Sequence, residues 1–176
     1  SAAIGVLLGL LLSFSVGQYN DTQNQIKQLG TDSMAIYSAT ETINPEASNT
    51  IRHDVVCTLR SFVYQDWLAE GASIGVHQQT TLWTMQLQQD IDKYEAKAVA
   101  AGESTGSYGS IAQNAQAIII LAIIVLDYPL QDILGLGSAV NHDALQNVFD
   151  MLEWQYPGSE WLDCPTLTAA DLITKN

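Results

Sequence analysis

Few residues in this chain offer chemistry, and they are scattered. Two His-Asp dipeptides, His53-Asp54 and His142-Asp143, set an imidazole beside a carboxylate, the couple that moves protons in acid–base catalysis. Adjacent residues on a helix project about 100° apart, so such pairs do not face each other. A metal would require His53, His77 and His142 to converge from three helices, and none of the short ligand spacings of zinc sites occurs. His142 is a weak candidate for an axial ligand to a pigment's magnesium; an exposed histidine at a helix start is the simpler reading. The acids Asp90, Asp92 and Glu95 read as a solvated helix face. Gly135-Leu136-Gly137 lacks the third glycine of a dinucleotide fingerprint, and there is no nucleophile elbow or phosphate loop. No set supplies nucleophile, base and oxyanion donors together, so a non-enzyme is expected, with no cofactor required.

Arg60 and Asp66 are separated by about 120° around a helix and do not pair directly. Arg60 is expected to meet an acid on a neighbouring helix or to sit near lipid headgroups, Asp66 to be a surface acid and Trp67 a core aromatic. Cys57 and Cys164 stand far apart in sequence. An oxidising compartment would let them pair, but two buried thiols are the simpler expectation.

The elements that would position these residues read as helices throughout. Ser1 to Asn20 carry no charged side chain, and Ala2 to Phe14 are almost wholly apolar. The pattern predicts a membrane helix over 1–20, with Tyr19 at the interface, continuing without a break into a polar, amphipathic helix up to Pro45. Without a basic n-region, the stretch does not resemble an intact signal peptide. Gly5, Gly9, Ser13 and Gly17 form a small-residue stripe suited to close helix packing. Beyond it, Ile26, Leu29, Ser33, Ile36, Thr40 and Ile43 form a heptad-like seam expected to pack on partner helices.

Asn44-Pro45-Glu46 has the chemistry of a helix start, and a second helix is expected to run to about Glu70, before Gly71. A third is expected over Gln78 to Ala101. The helical bundle thus spans 21–101, and the Gly/Ser-rich 102–110 reads as a flexible connection. Residues 111–156 hold an apolar helix around 117–126, too short to span comfortably, and an amphipathic helix from Asn141 to Trp154. Residues 157–176 read as an irregular arm whose Trp161 needs a surface to cover. The expected fold class is all-α: a membrane helix, a soluble bundle and an arm.

Six basic and 19 acidic residues among 176 give a net charge of −13. No two basic residues are adjacent, which argues against nucleic acid and against a polybasic hold on anionic lipid. The acidic surface suits an extracytoplasmic or lumenal face.

The stretch VCTLRSFVYQDW, 56–67, resembles a signature of the bestrophin-like family of uncharacterised bacterial and plastid membrane proteins. Cys57, Arg60 and Trp67 fall at that signature's offsets, and Asp66 stands where it has Glu. The preceding LLGLLLSFSVGQYND, 7–21, is similar to the family's membrane helix running into a polar one. The resemblance covers residues 4–95. It implies residence in a bacterial inner membrane or plastid thylakoid, with an ion-channel subunit as one function. The missing chemistry and the unpartnered apolar surfaces favour a membrane-anchored accessory subunit of a larger complex in a photosynthetic or respiratory membrane, with lipid or pigment contacts following from that setting. A filament assembled through the N-terminal helix is a third expectation.

Overall fold

A computed structural model describes residues 2–62, 78–126, 150 and 163–174. Among these residues the chain is all-α, with no strand. The helices are α1 (Ala2–Thr40), α2 (Pro45–Arg60), α3 (Gln78–Ala101), α4 (Gly106–Leu126) and the short α5 (Ala169–Thr174).

Local chemistry sets the turns. At the end of α1 the ladder tightens into i→i+3 bonds, with Glu41 N–H on the Ser38 carbonyl at 3.2 Å. Asn44 then caps α2, its side-chain oxygen accepting from the Glu46 N–H at 2.9 Å, with proline at the first helical position. After α3, Gly102 takes φ +71°, and the Glu103 and Gly102 N–H groups bond the carbonyls of Ala98 and Val99. This six-to-one and five-to-two pair closes the helix, and glycine accepts the left-handed turn without a Cβ penalty.

The first four helices form an up-down-up-down bundle. α4 starts beside the end of α1, where the Thr42 and Ser107 hydroxyls share a hydrogen bond of 2.7 Å, and runs back along it. α2 and α3 also lie antiparallel, with Glu46 and Thr50 near Tyr94 and His53 near Trp83. The core draws Ile26, Leu29 and Ile36 from α1, Ile51, Val55 and Leu59 from α2, Leu87 and Ile91 from α3, and Ile111 and Ile118 from α4. The seam of α1 is thus taken up by the chain's own helices, with Ile43 partly buried against the same core. Its polar interruptions are satisfied: Ser33 donates to the Leu29 carbonyl and Thr40 to that of Tyr37, each at 2.7 Å.

Asp90, expected on a solvated helix face, is buried at 6% exposure, and three expectations about the elements and their links change. Among the described residues no helix is long and apolar enough to cross a membrane. The span expected over 1–20 is corrected to an apolar helical extension. Ala2 to Phe14 cover only ~20 Å at the helical rise, against a hydrocarbon core of ~30 Å, and Gln18, Asn20 and Asp21 follow. Second, α4 begins at Gly106, inside the stretch read as a flexible connection. Buried Tyr108 anchors that first turn to the core, leaving Gly102 to Thr105 as the connection. Third, Cys57 and Cys164 form a disulfide instead of standing as two buried thiols. The helix expected from Asn141 to Trp154 lies outside the described residues, Asp150 apart, as do Gly71, His77, His142 and Trp161.

Candidate functional site

Two regions stand out: a projecting apolar rod and a covered polar cluster.

The rod is the first half of α1. The helix has 39 residues and so reaches ~58 Å at 1.5 Å per residue. Among the described side chains, the buried ones start at Thr22 and Ile26. Before them, Gly9, Ser13, Val16, Gly17 and Asn20 are exposed, Val16 by 57%. A Cβ placed on Gly9 or Gly17 would meet nothing within 4 Å, so the stripe faces open space. The side chain surroundings at Gly5 fall outside the description.

The cluster lies where α2, α3 and the arm at 163–174 meet. α2 sets His53 and Cys57 one turn apart, and the disulfide ties Cys57 to Cys164 on the arm. His53 Nε2 lies 3.1 Å from the Asp163 carbonyl oxygen and 3.5 Å from Cys57 Sγ. A carbonyl can only accept, so the Nε2–H is the donor. The ring stands edge-on to Trp83 at 5.6 Å. Gln79 fastens the next part of the arm: its amide donates to the Leu167 carbonyl at 2.9 Å and accepts from the Leu167 N–H at 3.0 Å. Leu167 and Leu172 complete a small apolar core with Leu82 and Trp83.

Beneath the imidazole is a carboxyl pair. Asp54, 3% exposed, approaches His53 Nδ1 at 3.4 Å and also faces Asp90. Burial pushes its carboxyl up to about 7; the contact with His53 opposes this, and the Asp90 charge adds to it. Asp54 and Asp90 can bond each other only through a shared proton. Asp90 accepts from the Gln86 amide and lies 3.7 Å from the Lys93 ammonium, so the proton rests on Asp54. Nearby, Thr58 Oγ1 donates to the Asp54 main-chain carbonyl at 2.8 Å. The adjacent pair His53-Asp54 does meet through Nδ1, although neighbouring positions diverge along the helix.

A second buried charge escaped the sequence reading. Arg52, 8% exposed, closes the end of α1. Its Nε donates to Thr40 Oγ1 at 2.6 Å and an Nη to the Tyr37 carbonyl at 3.1 Å, with the guanidinium 5.2 Å from the Tyr37 ring centre. The signal was available: Arg52 shares a helical face with Val56 and Leu59. Arg60 sits half-buried in the last turn of α2, and Asp66 and Trp67 lie outside the described residues.

A cleft of about 170 Å³ between α2, α3 and the start of α4 is served by the chain itself. Lys97 Nζ stands 3.8 Å from Glu46 and 4.8 Å from the Tyr94 ring centre, and the Tyr94 hydroxyl donates to Glu46 at 3.0 Å. Burial is the main cause raising the Tyr94 and Tyr108 phenols above their ordinary value. Among the described residues no three His, Cys, Asp or Glu side chains gather to hold a metal ion. No protein-family model matches the chain, and it has no significant match among curated proteins or solved structures.

Proposed function

We propose that this chain is a non-catalytic accessory subunit that joins a larger membrane complex through the first half of α1. The observation that carries this reading is the exposure of Gly9, Ser13, Val16 and Gly17 on the apolar half of α1. Gly9 and Gly17 of the small-residue stripe face open space. Such a stripe lets another helix backbone approach closely. The apolar run enters lipid from one side and is held there by partner helices. The acidic bundle stands outside the bilayer, on the extracytoplasmic or lumenal side of a bacterial inner membrane or plastid thylakoid. The disulfide supports an oxidising compartment. A photosynthetic or respiratory membrane is the setting favoured by the resemblance of Cys57, Arg60, Asp66 and Trp67 to the bestrophin-like signature.

Native membranes solubilised in mild detergent and separated on a native gel test this. The band holding the chain should contain a set of different proteins by mass spectrometry. A band containing only copies of this chain would overturn the reading. The exposed stripe equally suits self-association, so bilayer conductance, as for a channel subunit, would then be the next measurement.

A further inference from the structure

We propose that the Cys57–Cys164 disulfide is a thiol-exchange site, entered by a dithiol reductant at Cys164 and assisted by His53 at Cys57. The two sulfurs differ in access and surroundings. Cys57 is fully buried, whereas Cys164 is partly exposed on an irregular segment between exposed Asp163 and Pro165. An incoming thiolate therefore reaches Cys164 and makes Cys57 the leaving group. Cys57 is the sulfur with a donor in reach: His53 Nε2 stands 3.5 Å from its Sγ, and the N–H, which bonds the Asp163 carbonyl while the disulfide is closed, turns to the thiolate as Cys164 parts from it. Asp54 at Nδ1 and the edge of Trp83 hold that ring in place. A donor at the departing sulfur stabilises the thiolate and speeds its release.

The exchange balances in two steps. The reductant's thiolate attacks Cys164 Sγ, the disulfide breaks, and the electron pair leaves on Cys57 Sγ, which takes a hydrogen bond from His53 Nε2–H. The reductant's second thiol, as its thiolate, then attacks its own sulfur in the mixed disulfide. Cys164 leaves as a thiolate and takes a proton from water, and the reductant departs oxidised by two electrons. Among the described residues the arm is then held by non-covalent contacts alone: the Gln79–Leu167 pair, Leu167 and Leu172 on Leu82 and Trp83, and the His53–Asp163 bond where that N–H has not turned to Cys57. The exchange is thus also the step that frees the arm from α2.

Two measurements on the full chain test this. The folded protein is treated with glutathione, quenched in acid, alkylated and mapped by mass spectrometry. Glutathione should sit on Cys164 and the alkyl group on Cys57. Glutathione on Cys57, or no reaction until the protein is denatured, overturns the proposal. The rate of reduction by dithiothreitol is then compared between the parent protein and His53→Phe, which keeps a ring against Trp83 but removes the N–H. A fall of about tenfold is expected in a variant whose circular dichroism is unchanged. An equal or faster rate overturns the role of His53. If the variant does not fold, the glutathione map on the parent protein still decides the entry point.

Discussion

On the apolar first half of α1 the described side chains are exposed, while the buried region between α2 and α3 holds much of the chain's chemistry. Gly9, Ser13, Val16 and Gly17 on the first half of α1 face open space, although their neighbours from Ala2 to Phe14 are almost all apolar. Arg52, Asp54 and Asp90 lie buried among α1, α2 and α3, and His53 lies half-buried beside them. Hydropathy does not distinguish these regions in the expected direction; periodicity and closure do. The polar half of α1 places Ile26, Leu29 and Ile36 on one face, which a bundle can cover. The apolar half has no polar face to turn outward. The covered cluster tolerates its charges because each meets a partner: Arg52 the end of α1, Asp90 Gln86 and Lys93, Asp54 a proton and His53.

The contrast can be broken most strongly at the disulfide. Replacing both Cys57 and Cys164 by serine removes a link across 107 residues. Chain entropy alone makes this worth roughly 4–5 kcal/mol, read as a lower midpoint in denaturant. Next comes the core seam: Leu29→Ala should cost about 2–5 kcal/mol in the same titration. The Asp54 carboxyl gives a pH signature. Its folded pKa of about 7 lies above the ordinary 3.8, so its contribution is full below about pH 4 and lost as pH rises towards 7. Asp54→Asn should remove that part of the slope, roughly 2–4 kcal/mol between the ends, when its stability–pH curve is subtracted from the parent's. The smallest effect sharpens the comparison: Val16→Ala on the rod should change stability by less than about 0.5 kcal/mol, as exposed positions do. A loss as large as that of Leu29→Ala would mean that the bundle covers the rod in solution.

What was legible in the sequence follows the range of the forces involved. The turn at Asn44, Pro45 and Glu46 and the stop at Gly102 depend on chemistry within a few residues, and α2 and α3 begin and end there. The all-α character follows from helical spacing over whole segments. The disulfide was not legible, because two distant cysteines pair only once the arm is laid against α2. The start of α4 was hidden by its glycines and serines, whose low helix propensity is overridden by burying Tyr108. In the cluster, Cys57 belongs to a motif and His53 stands next to Asp54 in sequence, but the meetings of His53 with Trp83 and of Asp54 with Asp90 are tertiary. Arg52 was passed over for Arg60. Its place on an apolar face marks burial, yet only the fold supplies the end of α1 for it to cap.

The link between α2 and the arm also fixes the covalent topology. Residues 57 to 164 form a closed ring, and α1 hangs from it as an open tail. A protease that cuts once between Thr58 and Asp163 leaves one molecule, undiminished in mass on a non-reducing gel and in two pieces after reduction. A cut within α1 sheds the tail under either condition. The rod, like the residues after Cys164, is thus a part that a single cleavage can remove, while the stretch from Cys57 to Cys164 remains a ring until its sulfurs part.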